Sequence, residues 1–174
     1  MTRYGFRLAV PAPSGAKVAN AASDDIQRDA FDFRPALFPI KGKHDYGSSG
    51  NRFGAARSGH THQGQDVLAA CGTPLRAARG GVIKAKQYQS AAGYYLVIDA
   101  ANTGVDMAYM HLAAPSGYDE GDRVRTGDQI GVVGDTGDAT ACHLHFEMWN
   151  APGWYTGGAP FDPLASLKQW DAYS

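Results

Sequence analysis

Six histidines are spread through this 174-residue chain, and two of them stand two apart in Cys142-His143-Leu144-His145-Phe146-Glu147-Met148-Trp149. The run alternates polar and bulky apolar residues, the period-two pattern of a strand with one packed face. Side chains at i and i+2 of a strand leave the same face about 7 Å apart. His143 and His145 therefore point into one small space, while Leu144 and Phe146 turn into a core. Imidazole is a metal ligand and also the side chain that titrates nearest neutral pH. One ring of such a pair can hold a metal while its neighbour moves protons. Two partly buried histidines satisfied by hydrogen bonds would give the same pattern.

Two further clusters carry chemistry. In His62-Gln63-Gly64-Gln65-Asp66 the glycine argues against a helix and for a loop running into a strand, so a nitrogen and an oxygen ligand are offered together. With one distant histidine this makes three protein ligands and leaves a fourth position open, the arrangement of catalytic rather than structural zinc. The other cluster is Tyr109-Met110-His111-Leu112, at the end of an expected strand. A lone histidine there is usually just a packed or exposed residue.

The elements that must position these residues are short. Strands are expected at Gln65–Ala69, Val82–Tyr88, Tyr94–Asp99, Asp106–Leu112, Gln129–Val133 and His143–Trp149, separated by turn chemistry such as Gly80-Gly81, Asn102-Thr103-Gly104 and Gly134-Asp135-Thr136-Gly137. This spacing, with no helix-length apolar period between strands, argues for an all-β antiparallel domain. One short helix is expected near Leu164–Trp170, after Asp162-Pro163. The stretch from Gly42 to Gly64 is rich in Gly and Ser and reads as a long loop, holding His44, His60 and His62. Residues 1–30 lack periodicity and read as an arm or linker; apolar density rises from Phe31, so residues 31–174 are expected to form the domain. A formal net charge of −1 gives no reason to expect nucleic acid. No apolar run approaches the ~20 residues needed to cross a bilayer, and the first residues lack the apolar core of a signal peptide.

The order His-x-x-x-Asp, then Tyr-x-His-Leu, then His-Leu-His-Phe-Glu resembles the lysostaphin-type (LytM-like) peptidoglycan peptidases, the M23 zinc endopeptidases. The resemblance runs from Phe38 to Pro163 and includes Phe53-Gly54, Cys71-Gly-Thr-Pro-Leu, Gly121-Asp-x-Val-x-x-Gly-Asp-x-Ile-Gly and Asp162-Pro163. It implies an antiparallel β-sheet domain with long active-site loops and one zinc ion per chain. It also implies His62, Asp66 and His145 as metal ligands and His111 and His143 as catalytic histidines. The reaction implied is hydrolysis of peptide bonds in cell-wall peptidoglycan by a metal-activated water. The implied setting is extracellular or cell-wall associated, with the chain acting as a monomer. Ala141 stands where many members have glycine, and no tyrosine lies between Asn51 and Gly59 to serve as the oxyanion donor some relatives supply. His60 competes with His62 for the ligand role, but the spacing to Asp66 favours His62. His44 has no partner pattern and stays a loop histidine.

Glu147 leaves the strand on the same face as the histidine pair, as a partner of the ligand or as a surface carboxylate. Cys71 and Cys142 are the only cysteines; they form either a disulfide tying the turn after the Asp66 strand to the catalytic strand, or two buried thiols. Two other function classes fit parts of the pattern. One is a non-catalytic domain of the same fold that binds peptidoglycan or activates a hydrolase, which would lack part of the five-residue set. The other is a biotinyl- or lipoyl-like carrier hairpin, which needs a lysine that Val124 to Ile130 does not contain. Bond specificity would lie in loops such as Lys41–Ser58, Gly104–Asp106 and Ala151–Pro160. Trp149, Trp154 and Tyr155 suit either a groove wall or core and rim packing.

Overall fold

Alternating apolar residues fix the strands of the computed structural model, which describes residues 35–174. The expected arm at 1–30 and the boundary at residue 31 lie outside the described residues. The elements run β1 His44–Asp45, a 3-10 turn Ser49–Asn51, β2 Ala56–Arg57, β3 His60–Thr61, β4 Gln65–Ala69 and β5 Pro74–Arg76. They continue with β6 Gly81–Gln89, β7 Gly93–Ala100, β8 Val105–Leu112, β9 Arg123–Val124, β10 Gln129–Val132, β11 His143–Asn150, β12 Pro160–Phe161 and the helix α1 Leu164–Asp171.

One sheet carries the molecule, in the order β1-β4-β11-β8-β7-β6-β9, with β12 added beside β11. Every pairing in it is antiparallel. β5 pairs with β10 and β2 with β3 in two small separate sheets. The fold expectation is met: β4 has the expected ends, and the other five expected strands differ only at their termini. The helix begins where Asp162 accepts a hydrogen bond from Leu164 N at 2.9 Å and ends one residue later than expected.

The sheet has two unlike faces. Ile83, Leu96, Ile98, Met107, Tyr109, Leu144, Phe146 and Met148 point inward and meet Leu75, Ile130, Leu167 and Trp170 from β5, β10 and α1 in the main core. The other face carries a smaller cluster of Ala85, Tyr95, Val97, Ala108 and Met110, and beside it the histidines. Disulfide-bonded Cys71 and Cys142, with Cα atoms 5.2 Å apart, tie the turn after β4 to the start of β11.

The expected long loop between Gly42 and Gly64 contains β1, the 3-10 turn and the β2–β3 hairpin. Strands of two residues are too short to display an alternation, which is why the sequence reads as loop there. His44 belongs to β1: its Nε2 lies 3.0 Å from Asp171 Oδ2 and its ring stacks 4.2 Å from that of Phe38. It anchors α1 through Asp171. Among the described residues no helix is long and apolar enough to cross a membrane.

Candidate metal centre

β11 is the middle of the site. Leu144 and Phe146 are fully buried in the core, so alternation sends His143, His145 and Glu147 to the opposite face. β4 lies beside it with Asp66 opposite His145 and Leu68 opposite His143. The turn into β4 brings His62 up to the pair. This approach needs Gly64, because a Cβ there would strike the carbonyl of Phe146 and come within 2.8 Å of His145 Nε2.

His111 reaches the same face by a break in the pattern. On β8, Met107 and Tyr109 face the core while Ala108 and Met110 face the other way; strict alternation would bury His111. The β7–β8 register shifts so that Tyr95 alone stands between partners Tyr94–Leu112 and Leu96–Tyr109. Met110 and His111 therefore share one opposing residue, a β-bulge. His111 sits at φ +61, a left-handed conformation that costs a non-glycine residue about 1–2 kcal/mol. Leu112 then rejoins the core, and the His111 ring stands 4.6 Å from that of His143. Re-aiming this imidazole is what the local strain accomplishes.

Three atoms converge. His62 Nε2 is 2.9 Å from Asp66 Oδ1 and 2.9 Å from His145 Nδ1, and His145 Nδ1 is 2.8 Å from Asp66 Oδ1. The outer nitrogens face acceptors: His62 Nδ1 donates to the carbonyl of Arg52 at 2.8 Å and His145 Nε2 to Glu147 Oε1 at 3.0 Å. A carbonyl and a carboxylate can only accept, so these contacts assign the ring protons outward and the inner lone pairs to the focus. Two lone pairs and a carboxylate oxygen within 3 Å of one another demand positive charge among them. Burial opposes charge on His145, but hydrogen bonds to Asp66 and Glu147 outweigh it and raise its pKa to about 9. Burial likewise pushes the Asp66 carboxyl up, yet hydrogen bonds from His145 and His62 hold it well below the usual carboxylate range. A proton and a metal ion are alternative occupants of such a focus, and the donor set of two nitrogens and one oxygen suits a zinc-type ion. His62, Asp66 and His145, all buried, form the group that could hold a metal.

The other two imidazoles are oriented alike. His111 Nδ1 donates to the carbonyl of Thr136 at 2.8 Å and His143 Nδ1 to that of Ala141 at 2.8 Å, leaving each Nε2 as an acceptor. His143 Nε2 lies 3.6 Å from Asp66 Oδ1. Burial lowers the pKa of His111 to about 4, although the bond to Thr136 works against the shift, so its ring is neutral at pH 7. His60, the rival for the ligand role, is exposed on β3, with Nδ1 3.2 Å from the carbonyl of Ser58.

The sequence left Glu147 open between a partner of the ligand and a surface carboxylate. Glu147 is a buried partner rather than a surface carboxylate; besides His145 it accepts from Trp149 Nε1 at 2.7 Å and Trp154 Nε1 at 3.3 Å. Its place in the β11 alternation was the available signal. Arg52, Thr136 and Ala141 act through backbone carbonyls, which no residue type announces. A cleft of about 950 Å³ opens over the site, with His62, His111, His143, Trp154 and Tyr155 in its lining. Trp149 is buried and does not line it, its ring tilted against that of Tyr155 at 4.8 Å, so the aromatic lining is Tyr95, Trp154 and Tyr155.

An antiparallel sheet that gathers a His/Asp/His focus at the floor of a cleft belongs to the lysostaphin-type peptidase class. The description "Peptidase family M23" matches residues 60–163, more than half of the chain, and the chain belongs to that family. It is 46% identical over 104 residues to the DD-carboxypeptidase/endopeptidase Mpg of Neisseria meningitidis, an alignment covering 60% of this chain and 22% of Mpg. The chain spans about a fifth of the length of the curated relatives it matches. A zinc containing peptidase from Vibrio cholerae superposes with a TM-score of 0.62 at 27% identity, covering 74% of this chain and 39% of that one. The catalytic domain of lysostaphin from Staphylococcus simulans gives 0.60 at 29% identity, covering 72% and 92%.

Proposed function

We propose that this chain is a zinc-dependent endopeptidase that hydrolyses peptide bonds of bacterial cell-wall peptidoglycan, in the stem peptide or its cross-bridge. The observation that carries the reading is the convergence of His62 Nε2, Asp66 Oδ1 and His145 Nδ1 within 3 Å of one another, with two further imidazoles beside them. Membership of the M23 family and the peptidase names of its relatives support the substrate class.

In this reading His62, Asp66 and His145 hold one zinc per chain. When bound, zinc supplies Lewis acidity that makes a water acidic near neutral pH and polarises a carbonyl. His111 and His143 move protons at Nε2, the one ring nitrogen each leaves free of a backbone bond. A neutral His111 can accept a proton from the attacking water, and an imidazolium formed at either ring can return it to the leaving amine. The open cleft admits an extended peptide, and Trp154 and Tyr155, their rings edge to face, give it aromatic surface. The substrate places the protein outside the cytoplasm, where the Cys71–Cys142 bond is stable.

Asp66→Ala tests the ligand set. It should abolish both zinc retention and release of amino groups from purified peptidoglycan, whereas His60→Ala should keep both. Full zinc occupancy in Asp66→Ala would overturn the assignment.

A further inference from the structure

Asp66 offers two oxygens, and they face different partners. Oδ1 meets both ligand histidines. Oδ2 accepts from Arg57 Nη2 at 3.3 Å. The Asp66 side chain is only 10% exposed and the Arg57 side chain 31%, so the pair is shielded well enough for its geometry to matter. Arg57 also lines the cleft, where it is the one Lys or Arg side chain among the described residues.

The chain builds Arg57 and His62 into one unit. Ala56 pairs with Thr61 and Arg57 with His60 across the two-residue turn Ser58-Gly59, whose glycine sits at φ +82. The ladder continues below, with His62 N donating to Ala55 O at 2.9 Å and Gly54 N to His62 O at 2.8 Å. The hairpin that carries the guanidinium therefore ends on the ligand histidine itself.

A carboxylate can bind a metal through one oxygen or both. With two, the coordination number rises and an open position is crowded. We propose that Arg57 is a positioning residue for the metal centre, holding Asp66 Oδ2 so that Oδ1 alone is offered to the ion. The inference rests on the zinc-site reading given above. Its physical basis is general: ligating carboxylates are themselves hydrogen-bonded, and removing such a partner costs about 10- to 100-fold in metal affinity.

Wild type, Arg57→Ala, Arg57→Lys and His60→Ala, with Asp66→Ala as the ligand control, are compared by zinc affinity in chelator competition. Two further readouts are the visible absorption of the cobalt-substituted proteins and the melting of the metal-free proteins. Arg57→Ala should weaken zinc binding about 10- to 100-fold and dim the cobalt bands, because a freed Oδ2 raises the coordination number. Its metal-free melting should match wild type. Arg57→Lys, which keeps the charge but loses the planar fork, should fall between the two, and His60→Ala should match wild type. If Arg57→Ala does not fold, Arg57→Lys decides on affinity and spectrum alone. Wild-type affinity and spectrum without the guanidinium would overturn the proposal. So would an equal loss in His60→Ala, or a loss matched by metal-free instability. Zinc retained by Asp66→Ala would instead overturn the underlying site.

Discussion

Each site histidine is defined by what its outer nitrogen touches. His62 and His145 give those protons to Arg52 O and Glu147 and turn lone pairs to the focus; His111 and His143 give theirs to Thr136 O and Ala141 O. The charge consequences are opposite. The carboxylates around His145 raise its pKa, while burial lowers that of His111 to about 4. Because His111 is lowered from an ordinary 6.5, the unfolded chain binds a proton between pH 6.5 and 4 that the folded chain does not. Unfolding free energy should fall as pH falls through that window, and this group adds no slope above or below it. Denaturant titrations at pH 7 and pH 4.5 should show His111→Gln losing less stability on acidification than wild type; equal losses would contradict the buried neutral ring. That His62 rather than His60 meets Asp66, and that His143 and His145 share a strand face, was legible in the spacing; the roles of these residues came with the family resemblance. The proton assignments were not legible, since backbone carbonyls decide them.

At the scale of elements, period-two alternation made six strands readable, from β4 to β11, because each runs four or more residues with one face in the core. β1, β2, β3, β9 and β12 have two residues each and β5 three, too few to show a period. The bulge that swings His111 out of the core was hidden for another reason: it is a property of the β7–β8 register, not of β8 alone. Gly64 tests how closely the elements fit. Gly64→Ala places a methyl group against the carbonyl of Phe146 and the ring of His145. Overpacking of this kind costs about 1–3 kcal/mol, so the variant should melt lower and bind zinc more weakly. An unchanged melting temperature and affinity would mean that the turn before β4 has slack.

Across the whole molecule, the disulfide closes a span of 71 residues between the end of β4 and the start of β11, the two strands that carry Asp66 and His145. On the chain-entropy argument such a loop contributes about 4 kcal/mol. Reduction should shift the denaturation midpoint down accordingly, and denatured, unreduced protein should take up no alkylating reagent. Two alkylated thiols would contradict the bond. The sequence left disulfide and free thiols open because nothing in the spacing of two cysteines reports their separation in space. By contrast the fold class was legible, since turn signals between short alternating runs leave few arrangements other than an antiparallel sheet.

The central claim is that neighbours on one strand face divide the labour, His145 holding the metal and His143 moving protons. Zinc content and release of new amino groups from purified peptidoglycan, measured on the same preparations of His143→Ala and His145→Ala, test it most directly. His145→Ala should lose zinc and hydrolysis together, with whatever stability the metal lends. His143→Ala should keep close to one zinc per chain while its rate falls by ~10²–10⁴. Zinc lost from His143→Ala and kept by His145→Ala would reverse the roles, and full zinc and full activity in both would place the chemistry elsewhere.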